Sequence, residues 1–380
     1  MLDLGVREQS LGILTGAMAL GSMAGTIPIG MLARRAGIKK VLIVCLLLLA
    51  SAFCARVFLL QYSMQVVFAF IDGVMLCGWV VCLAPAVANV VEEHNRPFAF
   101  SILFAIAIGS GSLGGLVGGN LPVWCQRLGL SYAGIAISAT EGKRLTLLAA
   151  AVITGLAAWP ITRLRSNVPA QPTRWIRRPS PFLGRFLLAS ACWAAVVGAF
   201  NPFANVFFVR YLGVSVPHLG NFFSVAQILQ AGPVLLMPII VRKVGLVFGI
   251  VASQLATAVA IGLLAMGHDV LREEIVFCIF MSAQHMCDPG FQSLLMDRVS
   301  VGERSNAAAL YFLVISVAQA CAAAVAGLAF ARYSFPRVLT CVAGAAVAAA
   351  TVFQILCGRY SAIKQNQETT YLSIGNGPEP

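Results

Sequence analysis

The sequence predicts an all-α membrane protein of two similar helical bundles, and three observations carry that reading. Of the 380 residues, 59% are hydrophobic and 11% are charged, against roughly 25% charged in soluble domains. A soluble globule has too little interior to hide so much apolar surface, whereas lipid accepts it. The apolar residues also fall in continuous runs rich in Leu, Ala, Val and Gly, without the short alternating segments of a membrane barrel. Finally, the chain repeats itself at an offset of 208 residues. Leu4-Gly5-Val6, Leu11-Gly12 and Arg34-Arg35-x-Gly37 return as Leu212-Gly213-Val214, Leu219-Gly220 and Arg242-Lys243-x-Gly245. The register holds through Arg96/Arg304, Phe104/Phe312 and Gly119/Gly327.

A spanning helix needs about 20 apolar residues. Five runs of that order lie near 10–33, 39–60, 64–90, 97–122 and 145–162, and six more near 182–211, 218–241, 244–267, 273–298, 304–331 and 336–357. The first run has no basic n-region of the usual kind, contains Pro28 and Gly30, and matches Leu219–Ile240 position for position. It is expected to be a permanent helix, not a cleaved signal. Before Leu212 the second half has a full apolar segment, Phe182 to Tyr211, whereas three residues precede Leu4. A helix is therefore expected to be missing from the start, leaving eleven spans as five and six. In an apolar chain such a repeat points to a transporter built from two halves.

Lys and Arg set the orientation. If the loop carrying Arg34, Arg35, Lys39 and Lys40 faces the cytoplasm, 17 of the 26 basic residues lie on that side. The net charge of +12 then reads as topology and attraction to anionic lipid, and no nucleic-acid partner is expected. Residues 163–181, with their prolines and arginines, read as a basic cytoplasmic linker. Segment 123–144 reads as a loop on the outer side, where the repeat ends. The polar tail, 359–380, reads as disordered and cytoplasmic. The eleven cysteines show no CxxC and no His/Cys cluster at metal-ligand spacing, so no metal or other cofactor is expected. No Gly-x-Ser-x-Gly, His-Glu-x-x-His or nucleotide loop is present, and no enzymatic activity is expected.

Two halves with a basic loop after the second helix of each resemble the major facilitator superfamily. That loop usually reads Gly-x-x-x-Asp-Arg-x-Gly-Arg-Arg. Here it is Gly30-Met-Leu-Ala-Arg34-Arg35-Ala-Gly37-Ile-Lys39-Lys40, and the second copy is Pro238-Ile-Ile-Val-Arg242-Lys243-Val-Gly245. Both copies lack the acid. Asp288-Pro-Gly-Phe-Gln-Ser to Glu303-Arg304 looks like the family's tenth helix and its exit loop, and Phe200-Asn201-Pro202-Phe-Ala-Asn205 looks like its seventh. The resemblance implies a major facilitator fold. Residues 1–162 would be the N-terminal bundle (helices 2–6), and 182–358 the C-terminal bundle (helices 7–12). It also implies a conformational gate at Gly30, Arg34, Arg35, Gly37, Arg96, Arg242, Lys243, Gly245, Glu303 and Arg304. Without the motif acid, Glu92, Glu93, Asp297 or Glu303 become alternative partners for the arginines, which also set topology and meet lipid phosphates.

Ionisable groups inside a membrane are costly, so each is a candidate for function. Gln284, Asp288 and Gln292 recur at i, i+4 and i+8, with His285 one turn before Asp288, along one side of a helix. Imidazole titrates near neutrality, so a His–Asp pair there can bind and release a proton. The alternative is a satisfied structural network. Asp72 is a candidate for proton or substrate work, with a structural pair to Arg56 as the other reading. Asn201 and Asn205 share a face, Pro202 frees a carbonyl between them, and Gln227 and Gln230 share another face. These amides suit hydrogen bonding to a polar, uncharged solute or, equally for any single one, to a neighbouring helix. Trp79, Phe203 and Tyr311 could add apolar contact there, although aromatic residues in membrane helices are usually packing. The run Gly109 to Gly119 loosely resembles the glycine motif of proton-driven exporters and more simply predicts close helix packing.

The reading that follows is a secondary transporter moving a small solute by alternating access, with protons as the candidate coupling ion and either efflux or uptake open. It would be a monomer in the membrane lipid, at a bacterial inner (plasma) membrane. A transporter-like protein without transport, acting as a sensor or remnant, is the alternative that the missing helix and lost acid raise.

Overall fold

The computed structural model describes residues 8–59, 61–127, 131–132, 135–136, 139–163 and 180–358. The linker at 164–179 and the tail at 359–380 lie outside the described residues. The first half runs α1 (Glu8–Ala36), α2 (Ile38–Phe58), α3 (Tyr62–Val90), α4 (Arg96–Arg127), α5 (Ala139–Leu156) and the short α6 (Ala158–Thr162). The second begins with α7 (Pro181–Phe200) and the short α8 (Ala204–Val206). Then come α9 (Val216–Val244), α10 (Leu246–Met266), α11 (Val270–Arg298), α12 (Arg304–Arg332) and α13 (Phe335–Cys357).

The repeat survives folding to the residue. Adding 208 to the bounds of α1, α2 and α3 gives those of α9, α10 and α11. The 3-10 turn Glu93–Asn95 before α4 becomes Val301–Glu303 before α12 in the same way. Gly37 (φ 90°) and Gly245 (φ 88°) make the one-residue turns after α1 and α9, a conformation in which a Cβ is disfavoured.

The helix limits differ from the sequence expectation at three places, each for a local reason. The run at 182–211 is interrupted: α7 gives way to a 3-10 turn at Asn201–Phe203, then α8, then a π turn at Phe207–Tyr211. Pro202 has no N–H to give the Gly198 carbonyl, which breaks the α ladder there. Pro160 does the same to the Leu156 carbonyl, and the helix divides at Ala157 into α5 and α6. The expected loop at 123–144 is shorter than the sequence suggests, because α4 continues to Arg127 and α5 begins at Ala139. Between them Ser131–Tyr132 pairs with Ile135–Ala136 as a two-residue antiparallel ladder, Ser131 opposite Ala136.

Among the described residues ten helices are long and apolar enough to cross a membrane. The exception is α11, which matches its counterpart α3 in length at 29 residues. It carries Arg272, Glu273, Glu274, His285, Asp288 and Asp297, and packs on α7, α9 and α10.

The chain forms two compact units that do not coincide with its sequence halves. The first comprises 1–92, 110–177 and 299–313; the second comprises 93–109, 178–298 and 314–380. Each half therefore gives the opening of one helix, α4 or α12, to the unit built mainly from the other.

Within the first unit α1 crosses α3 at backbone distance. A Cβ on Gly21 would meet the Phe70 carbonyl, and one on Gly73 would meet the Met18 carbonyl. Ser22 Oγ donates to the Gly73 carbonyl at 3.0 Å beside this crossing. Lipid tails are as apolar as Leu, so close packing of small residues is what holds such helices together. In the glycine run of α4, Gly109, Gly111 and Gly114 have nothing within 4 Å of an added Cβ, and the surroundings of Gly115, Gly118 and Gly119 lie outside what is described. The core of this unit is Ile29, Val41, Leu42, Cys45, Leu46, Cys82 and Ile161, with Trp79 packed against it.

The second unit is aromatic. Phe200, Phe207, Phe208, Phe277 and Phe280 are buried and meet in pairs with ring centroids 5.2–6.5 Å apart. Phe203 packs on Phe330 at 5.0 Å, and Gly198 lets α7 lie against the Gln319 backbone of α12. Such pairs contribute about 0.5–1.5 kcal/mol each beyond burial. Ser180 caps α7 by accepting from the Leu183 N–H at 3.2 Å.

Candidate functional site

In the first unit a polar cluster forms where α2 ends and α3 begins. Asp72 lies ten residues into α3, about 15 Å along it. Its side chain is 3% exposed and receives Arg56 Nη1 on Oδ2 at 2.5 Å. Arg56 Nε donates to Gln65 Oε1 at 2.9 Å. The Gln65 amide in turn donates to the carbonyls of Arg56 at 3.0 Å and Leu59 at 2.7 Å. Gln65 thus closes the carbonyl end of α2 while orienting the guanidinium toward Asp72. Asp72 Oδ1 has no hydrogen-bond partner among the described residues. The repeat does not carry this cluster over: the positions 208 residues after Arg56 and Asp72 are Leu264 and Phe280.

The second unit has its polar stripe on α11. His285 Nδ1 lies 2.9 Å from Asp288 Oδ2, with side-chain exposures of 28% and 34%. With the carboxylate accepting, the imidazole proton sits on Nδ1. Gln284 is buried, Gln292 is half-buried, and the carbonyl oxygen of each lacks a partner among the described residues. The neighbouring face of α11 is packed: Cys287 meets Ser253 Oγ at 2.9 Å, and a Cβ on Gly290 would meet Ile250 and Met237. Asn201 stands at the break after α7, with its buried Oδ1 also lacking a partner among the described residues. Asn205 is exposed on α8, and on α9 Gln227 is exposed while Gln230 is buried. Gln254 on α10, which the sequence reading missed, is fully buried with both amide atoms unmatched among the described residues.

The residues expected to form a gate fall into distinct environments. Gly30 is buried in α1, Arg34 is half-buried, and Arg35, Arg242, Lys243 and Glu303 are exposed. Ser300 Oγ donates to Glu303 at 3.0 Å. In the second unit Arg96, opening α4, pairs with Asp297 at the end of α11 at 2.5 Å, both side chains 9% exposed. In the first unit Arg304, opening α12, donates to the Ala88 carbonyl at 3.0 Å and to Asn89 Oδ1 at 2.8 Å at the end of α3. Arg96 and Arg304 are repeat equivalents, and so are Asn89 and Asp297.

The cysteines among the described residues are free, and no cluster there could hold a metal ion.

The Major Facilitator Superfamily family model matches residues 1–322. No curated protein matches the sequence. The fold is similar to that of the human organic anion transporter, with a TM-score of 0.76 at 14% identity over 90% of this chain and 83% of that one. It is similar to the E. coli fucose:proton symporter, with a TM-score of 0.73 at 13% identity over 92% and 91%. A bacterial homologue of the iron transporter ferroportin gives 0.70 at 16% identity, over 92% and 91%. At these identities the likeness is one of fold.

Proposed function

The chain belongs to the major facilitator superfamily, and on that premise we propose that this multi-pass membrane transporter moves a small polar solute by alternating access, coupled to protons through His285 and Asp288. The observation that carries the coupling is the 2.9 Å His285–Asp288 contact on a helix with unmatched amide oxygens at Gln284 and Gln292. An imidazole that titrates near neutrality, joined to a carboxylate, can take up and release one proton per cycle. Asp72, held by Arg56, is a second proton-sensitive site, since protonating the carboxylate frees the guanidinium.

The carbonyl oxygens of Asn201, Gln230, Gln284 and Gln292 are acceptors for an uncharged solute rich in hydroxyl or amide donors. The similar solved structures include transporters for fucose and an organic anion and a bacterial homologue of an iron transporter, so this preference rests on the amides. Arg96–Asp297 and Arg304–Asn89 are proposed latches whose release accompanies the change of state, with the linker and tail in the cytoplasm of a bacterial inner membrane.

The test begins with a thermal-shift screen of the full-length protein against sugars, amino acids, organic anions and hydrophobic cations. Uptake of the stabilising compound into proteoliposomes is then measured with and without an imposed pH gradient. The expected result is gradient-driven accumulation that Asp288→Asn abolishes while leaving binding in place. Rates indifferent to the gradient would refute the coupling.

A further inference from the structure

Glu273 lies in the first turn of α11 and is 0% exposed. Neither of its carboxyl oxygens meets a hydrogen-bond partner among the described residues. An ionised carboxylate can only accept hydrogen bonds, so these surroundings offer it nothing. Its Oε1 lies where a side chain on Gly267 would begin, against the residue that ends α10. The last carbonyls of a helix are acceptors themselves and form the negative end of its dipole.

The repeat supplies a direct comparison. Glu273 stands 208 residues after Gln65, and Gly267 stands 208 after Leu59. At the first of these two turns the Gln65 amide donates to the carbonyls of Arg56 and Leu59, tying the end of α2 to the start of α3. A carboxyl can act as such a donor only when it holds a proton. The start of α11 does favour negative charge, but that effect is small beside burying an unpaired carboxylate.

The charged groups acting on Glu273 are Arg272, His268 and Asp269, all exposed. His268 is engaged by Tyr211 at 2.9 Å, and Asp269 accepts the Arg272 backbone N–H at 3.0 Å. From α9, His218 pairs with Glu274 at 2.6 Å and leaves Glu273 alone.

We propose that Glu273 is a proton-binding site: its buried carboxyl is held neutral at the turn from α10 to α11, and it gives up the proton when the turn at 267–269 moves away. This site is independent of the His285–Asp288 pair and stands whether or not that pair couples transport.

Infrared spectroscopy of the full-length protein in lipid nanodiscs at neutral pH tests it. The expected result is a protonated-carboxyl band, shifted by deuteration, that is lost in Glu273→Gln and retained in Asp288→Asn. Glutamine is the near-isostere of the neutral form, so the variant should also melt at the wild-type temperature at neutral pH. A carboxyl region unchanged by Glu273→Gln overturns the proposal. So does a Gln variant that fails to fold, because that would show the negative charge to be required.

Discussion

Asn89 and Asp297 occupy the same station in the repeat, and each receives an arginine from the opposite sequence half: Arg304 binds Asn89 and Arg96 binds Asp297. The two contacts are geometrically alike and electrostatically different. Truncating one partner of a buried ion pair costs about 3–5 kcal/mol, whereas a hydrogen bond to a charged group contributes about 1.5–3 kcal/mol. Asp297→Ala is therefore expected to destabilise the protein more than Asn89→Ala. Chemical denaturation of the two variants in the same detergent ranks them. Asn89→Asp should convert the weaker contact into a second ion pair and raise the melting temperature.

The Arg56–Asp72 pair lends itself to a double-mutant cycle whose design comes from the chain itself. Arg56→Leu leaves a buried carboxylate unpaired, at a cost of about 3–5 kcal/mol. Adding Asp72→Phe installs the residues that the second half carries at Leu264 and Phe280, and is expected to recover most of that loss. Melting temperatures of the wild type, both singles and the double complete the cycle. A double variant as unstable as the Arg56→Leu single would contradict it.

Glycine substitutions separate the close crossing from the open run. Gly73→Ala drives a methyl into the Met18 carbonyl, and overpacking of this kind costs about 1–3 kcal/mol. Gly109→Ala and Gly114→Ala meet open space and gain helix propensity of up to about 1 kcal/mol. Thermal melts should move in opposite directions for the two sets.

Pro202→Ala restores an N–H that can reach the Gly198 carbonyl and join α7 to α8. Hydrogen exchange at residues 203–206 is expected to slow. Unchanged exchange there would mean that the π turn at Phe207–Tyr211, and not the proline, holds the break open.

Much of this fold could be read in the sequence because its information is periodic. The 208-residue offset anticipated the bounds of three helix pairs, and the apolar runs located the spans. The break at Asn201 was announced by Pro202, whose consequence is local. Pairing was harder. The glycine-dense stretch of α4 drew attention, yet the tight crossing uses the sparser Gly21 and Gly73, because partner backbone decides where a glycine is needed and composition does not record the partner. Asp297 was among several acids available to the arginines, and only the fold joins it to Arg96. Gln65 and Glu273 escaped notice as single polar residues near helix ends; their 208-residue separation was the signal that would have linked them.

The division of the molecule bears on how such a chain could have arisen. Residues 93–109 complete the unit built mostly from the second half, and residues 299–313 complete the unit built mostly from the first. An ancestral polypeptide of half this length would have had nowhere of its own to lodge its counterpart of those segments. It would have needed another copy of itself, each chain filling the gap in its twin. Joining two such copies end to end would turn that mutual dependence between molecules into an internal one. Cutting the present chain at the linker is accordingly expected to yield fragments that regain the native state together and not apart.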